Sequence, residues 1–406
     1  MKKIILLIQA TLFFLTFTSV YSQWYPQTSG TTNQLNGVSF TDLNNGTAVG
    51  WDGSILRTTD GGTNWISQYS GTTNNLLGVF FTDANNGTAV GVGGTILKTT
   101  NGGTNWTSQP NGAMHNLWSV SFTHANTGTV VGVGGTILRT TNGGTNWTLQ
   151  SSGTANGFVG VSFTDANTGT AVGYPGTIIR TTNCGTNWTL QTSGTTNGLY
   201  GVCFTDANNG TAVGFNGTII RTTNGGTNWT SQTSGTTELL RDVYFTDINN
   251  GTAVGDGGTI LRTTNGGTTW TSQTSGTIMT LNGVSFTDAN NGTVVGFDGT
   301  ILKTTNGGVF INQISSEIPE SISLHQNYPN PFNPYTKIKF QIAKLSDVKL
   351  VVYDILGREV ASLVNERLKA GTYEVDFEGR ELPSGVYFYK LVTDGFIDVK
   401  KMVLIK

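Results

Sequence analysis

A 41-residue period that never slips constrains this chain more than any other feature. Trp24, Trp65, Trp106, Trp147, Trp188, Trp229 and Trp270 stand 41 residues apart, and the Phe series from Phe40 to Phe286 and the Ile series from Ile55 to Ile301 keep the same step. Seven units result. A period of about 40 to 45 residues without helical periodicity marks a β-propeller, in which each repeat is one four-stranded sheet. The first unit divides accordingly. Residues 37–41 alternate apolar and polar, 42–46 turn, 47–50 and 54–58 are short strands around the turn 51–53, 60–62 turn again, and a fourth strand begins at Trp65. Gly, Asn and Asp fill the turns because they accept positive φ. The 56 glycines of the chain are thus turn chemistry repeated seven times, plus positions such as Gly50 where strands crowd near an axis.

The fourth-strand pattern occurs before the first full unit, at residues 24–28, and again after the seventh, where the Trp position has become Ile311. Eight candidates compete for seven places. The expectation is that residues 24–29 supply the outer strand of the blade built from residues 282–305, closing the ring.

Charge excludes some partners. Only 46 of 406 residues are charged, net -2, and no basic arm exists to hold nucleic acid. Residues 1–22 have the order of a secretory signal, a basic start, an apolar run over 4–17 and small residues before a cut after Ser22. No later segment has the length of a membrane span. The mature chain is therefore expected outside the cytoplasm. Cys184 and Cys203 could pair there, although each replaces a residue that its sister repeats fill with Gly or with Ser, Phe or Tyr.

Residues 58–65, Thr-Thr-Asp-Gly-Gly-Thr-Asn-Trp, and their copies resemble the Asp-box, or BNR repeat. Asp60 is replaced by Asn in the six later copies, which keeps an acceptor for a turn and drops the charge, so the box reads as structural. The fuller string at 135–147 resembles the photosystem II stability/assembly factor type of seven-bladed propeller, over residues 24–314. That resemblance implies an assembly or binding module rather than an enzyme, with no cofactor.

The chemistry of the residues agrees. A sialidase-like glycoside hydrolase with its site at the central channel is the alternative, but it would need an arginine triad, an acid and a Tyr assisted by Glu, and the propeller has one Glu, Glu238. No catalytic residue is assigned. Three histidines and two cysteines offer no zinc spacing, and the Asp83 to Gly87 turn departs from a calcium loop, so no metal is assigned. Arg57, Arg139, Arg180, Arg221 and Arg262, with Lys98 and Lys303, form a sevenfold cation set. It could bind an anion; the plainer reading is a salt bridge to Asp42 and its counterparts, or stacking on Trp.

The Asp-box face is nearly uniform among the copies, and their differences pile up on the other face, that of the turn between strands two and three and of the link to the next blade. Trp51, Val92, Val133, Tyr174, Phe215, Asp256 and Phe297 occupy the turn; Met114, His115, Trp118, Phe158, Leu199, Tyr200, Leu239 and Arg241 occupy the link. Exposed rings suit stacking on sugar or peptide. Trp51, Trp118, Tyr174, Tyr200, Phe215 and Phe297 are the ligand-binding expectation, for a glycan or a protein.

After Ile311 the period ends and charge rises. Residues 315–325 read as a linker, and 326–406 as a small Ig-like β-sandwich with alternating runs at 337–342, 348–353, 372–377, 385–391 and 397–405. Residues 326–334, 353–360, 382–387 and 400–406 resemble the type A C-terminal sorting domain of the type IX secretion system. This implies export through that machinery, with release or attachment at the cell surface.

Overall fold

The computed structural model describes residues 24–308, 311–379 and 382–406; the signal expected over residues 1–22 lies outside them. Two compact units divide near residue 309.

The first unit holds seven four-stranded antiparallel sheets among the described residues. In blade 5 the strands Leu199–Phe204, Gly210–Gly214, Ile219–Thr222 and Thr230–Gln232 follow one another outward. The first strands of successive blades pack side by side and return from blade 7 to blade 1. Because every sheet lies between two others, the second strand has no solvent face, and Gly46–Gly50 is buried at every position. Alternation then divides its side chains: Ala48 joins a core with Val295 and Ile301 of blade 7, while Val49 joins Leu76, Val79 and Phe81 of blade 2. Gly46 is required by packing. A Cβ there would lie 2.3 Å from the Phe40 ring, which itself meets Trp65 edge-on at 5.9 Å.

Ring closure follows the expectation. Tyr25–Gln27 pairs antiparallel with Ile301–Thr304 of blade 7, and Trp24 is fully buried against Phe286. Pro26 is tolerated because this is an outermost strand with no further neighbour. The eighth candidate goes elsewhere. Ile311–Ser315 pairs with Gly371–Glu378 in the second unit, so the change of unit comes earlier than residue 314.

Among the described residues the second unit has two four-stranded sheets. One runs Ile311–Ser315, Gly371–Glu378, Tyr335–Ile342, Ser323–Leu324; the other Glu359–Leu368, Ser346–Tyr353, Gly385–Thr393, Phe396–Leu404. Ile338, Phe340, Tyr373, Leu350, Val352 and Tyr389 are buried, from both sheets, as a sandwich requires. Ser323–Leu324 lies within the expected linker. The strand Glu359–Leu368 was not foreseen, since two register shifts against Ser346–Tyr353 break its alternation.

Candidate functional site

The faces of the propeller differ in kind. On the Asp-box face the side chains bond to the turns themselves. Asp60 accepts from the Asn64 backbone N–H at 2.9 Å and from its amide at 2.7 Å, which holds its carboxyl down at about 2. Asn101 accepts from the Asn105 N–H at 3.0 Å in the same way without charge. Asp42 likewise caps the N–H groups of Asn44 and Asn45.

The cations are spent between blades. Arg57 donates to the Thr47 hydroxyl at 3.0 Å and to the Ala84 carbonyl of the next blade at 2.9 Å, with its guanidinium 5.1 Å from the Phe81 centroid. Arg139, Arg180, Arg221 and Arg262 repeat this over Phe163, Phe204, Phe245 and Phe286. Burial pushes the Arg262 guanidinium down to about 10. The partner ring is therefore Phe, not Trp, and the acceptor is a carbonyl, not the Asp42 carboxylate. In each of the five arginines the two terminal nitrogens bond to the Thr hydroxyl of the same blade and to a carbonyl of the next, so the set joins neighbouring blades pairwise.

Sequence reasoning passed over a second clamp. Gln68 accepts from the Trp106 indole N–H at 3.3 Å and donates to the Gly102 carbonyl at 3.2 Å, tying one outer strand to the next blade's Asp-box. Gln150, Gln191, Gln232 and Gln273 do the same. The 41-residue step of these glutamines carried the signal.

The opposite face is where the blades differ. The turn and the link do share it: the Trp51 N–H donates to the Gln34 carbonyl at 2.9 Å and the Asn33 amide to the Ser54 hydroxyl at 3.0 Å. Trp51, Trp118, Tyr174, Phe215 and Phe297 are exposed, Trp51 by 46%. Tyr174, Tyr200 and Phe215 meet with centroids 5.3 to 5.9 Å apart. Burial and the Tyr200 hydroxyl raise the Tyr174 phenol above its ordinary value. Phe158 and Leu199, expected on this face, are instead fully buried core residues. Arg241 is bound to Asp256 at 2.5 Å.

Four of the rings, Trp51, Trp118, Tyr200 and Phe297, line the variable-face end of a cavity of about 750 Å³ along the inner strands together with Arg241 and Asp242, whereas Tyr174 and Phe215 are not part of its lining. Farther in, Ser39 accepts from the Phe81 N–H at 3.1 Å and Ser162 from the Phe204 N–H at 3.0 Å, stitching neighbouring inner strands. Cys203 holds one place in this ring, accepting from the Phe245 N–H at 3.3 Å. Burial pushes its thiol up to about 11. It and Cys184 are free cysteines.

Asp242 was not singled out by the sequence. Its counterparts are Gly37, Gly78, Ser119, Gly160, Gly201 and Gly283. The glycines are explained by crowding, since a Cβ on Gly201 would lie 2.8 Å from the Asp242 Cα. Asp242 accepts from the N–H groups of Val243 at 2.8 Å and Val284 at 3.0 Å, yet desolvation pushes its carboxyl up to about 7. Among the described residues no group of three His, Cys, Asp or Glu side chains could hold a metal ion.

Residues 326–406 match the family described as Secretion system C-terminal sorting domain, and residues 110–195 and 231–317 match Photosynthesis system II assembly factor YCF48. No curated protein matches the chain. Among solved structures, "YCF48 bound to D1 peptide" is 21% identical at a TM-score of 0.61, covering 70% of this chain and 96% of that one. YCF48 from Cyanidioschyzon merolae is 22% identical at 0.59, covering 69% and 98%. The WD40 propeller domain of Doa1 is 13% identical at 0.54, covering 71% and 97%. These likenesses show the fold. The chain thus joins a propeller similar to YCF48 to a tail similar to type IX sorting domains, as its motifs implied.

Proposed function

We propose that this is a non-enzymatic binding module, exported by the type IX secretion machinery to the cell surface or beyond, whose variable face takes a segment of a partner protein. The observation that carries the reading is the group of exposed rings at the mouth of the central cavity, on a face where the blades otherwise need no aromatic. The solved relative bound to a peptide supports a protein ligand over a glycan. A hydrolytic role has less support: Asp242 is the one carboxylate lining this cavity among the described residues, whereas most glycosidases work with a pair.

The test uses the full mature chain against peptide and glycan arrays, beside a Trp51→Ala/Phe215→Ala/Phe297→Ala variant. Binding to peptides that the variant loses is the expected result. Equal binding by the variant would refute the choice of face, and turnover of a glycoside would refute the class.

A further inference from the structure

The net charge of the propeller is unevenly placed. Residues 24–308 carry 12 acidic and 8 basic side chains. The Asp-box half holds seven acids, namely Asp60 together with Asp42 and its five counterparts, and it holds the sevenfold cation set. Those charges balance. The excess of four negative charges therefore belongs to the variable face, where Asp52, Glu238, Asp242, Asp256 and Asp298 meet the single cation Arg241. Arg241 is itself paired with Asp256.

Within this face only Asp242 combines a carboxylate with enclosure. It lies one residue inside Arg241, in the cavity whose mouth is formed by Trp51, Trp118, Tyr200 and Phe297. Its two backbone N–H donors leave further lone pairs on both oxygens. The surrounding charges are few. Its own strand brings Arg241 and Tyr244, and the inner strand Leu199–Phe204 brings Tyr200 and Cys203. The strands Gly210–Gly214, Gly251–Gly255 and Leu281–Phe286 and the turn Phe215–Gly217, which also pack on it, bring no titratable group. Negatively charged oxygen inside a rim of aromatic rings is the arrangement that recognises an organic cation, since ring faces and carboxylate attract the same charge.

We infer that the cavity mouth receives a lysine or arginine side chain from the partner segment, seated between the aromatic rim and the Asp242 carboxylate. The inference rests on the reading of the variable face given above and names the chemistry of its ligand. A bound cation would also hold Asp242 ionised, so that binding near pH 7 releases part of a proton from a carboxyl poised at about 7.

The experiment pans random heptapeptides displayed on phage against the immobilised full mature chain, its Asp242→Gly variant and the triple aromatic variant. Asp242→Gly installs the residue found at five of the six equivalent positions, so the blade keeps its fold, and an unchanged or higher melting temperature verifies this. The expected result is enrichment of Lys or Arg at one peptide position, lost with Asp242→Gly. By calorimetry the selected peptide should bind the variant about 10- to 100-fold more weakly. It should release a fraction of a proton at pH 7 from the parent only. Peptides selected without a cationic position, or bound equally by Asp242→Gly while the aromatic variant loses them, overturn this inference and leave the binding face standing. Failure of the parent chain to enrich any peptide overturns both.

Discussion

Trp24→Ala tests the ring closure most directly. Trp24 is fully buried in blade 7: its ring meets Phe286 edge-on at 5.9 Å and its indole N–H donates to the Gln273 amide oxygen at 2.9 Å. Truncating a buried Trp costs about 3 to 5 kcal/mol, and the lost hydrogen bond lies within that range. At roughly 2 °C per kcal/mol for a domain of this size, the melting temperature should fall by about 6 to 10 °C. Trp106→Ala removes the same contacts, with Phe81 and Gln68, but its strand is held by chain on both sides. The two variants should therefore differ in kind. Without Trp24 only the three pairs made by residues 25–27 retain the closing strand, and Pro26 gives it no N–H. Hydrogen exchange should then accelerate at Ile301–Thr304 in Trp24→Ala, below the global unfolding energy. It should stay global at the matching strand, Ile96–Thr99, in Trp106→Ala. A melting temperature within a degree of the parent, or equal protection of Ile301–Thr304, would refute the closure.

Other perturbations separate the remaining contacts. The Asp242 carboxyl is raised to about 7 in the fold from 3.8, so its neutral form is favoured there. Its contribution is complete below about pH 4 and is lost as pH rises through 7; Asp242→Asn should therefore gain about 2 to 4 kcal/mol over the parent between pH 4 and pH 9 in urea titrations, channel water keeping the figure below the full shift. Asp60 is held at about 2, the opposite sign, so its contribution is present above the ordinary carboxylate range and is lost as pH falls toward 2. Asp60→Asn should abolish that acid dependence, read by thermal melts from pH 5 to pH 2. Gly210→Ala would place a Cβ 2.4 Å from the Phe204 ring and should cost about 1 to 3 kcal/mol by denaturant unfolding.

What the sequence discloses here depends on repetition. Trp24, Phe40 and Ile55 were legible as a blade because seven copies of one packing solution average away local ambiguity, whereas Gly46, read as the end of a turn, opens the buried strand Gly46–Gly50. The tail has one copy of everything, and Glu359–Leu368 was missed when two register shifts spoiled its alternation. Phe158 and Leu199 were misplaced for a related reason. Each begins an inner strand whose first side chain turns into the blade core, whereas sequence variation alone put them among the face residues. The Arg57 series was legible as a set but not by partner, since its Phe and its carbonyl come from the next blade, 24 and 27 residues on.

Symmetry also decides where function can reside. A contact repeated in five of the seven blades, such as Arg57 on Phe81 or Gln68 on Trp106, is sufficiently explained by joining blades, because each copy has the same neighbour to hold. A residue that departs from its six counterparts has no such explanation, and its cost must be offset within its own blade or tolerated for another reason. Asp242 is the sharpest case: six blades manage that position with Gly or Ser, and the acid brings a carboxyl whose ionisation the fold resists. Two backbone N–H bonds do not restore its ordinary acidity. If Asp242→Asn proves more stable than the parent at pH 8 and yet loses peptide binding, the penalty and the binding belong to the same carboxylate; if stability rises while binding is unchanged, the acid contributes nothing to the site.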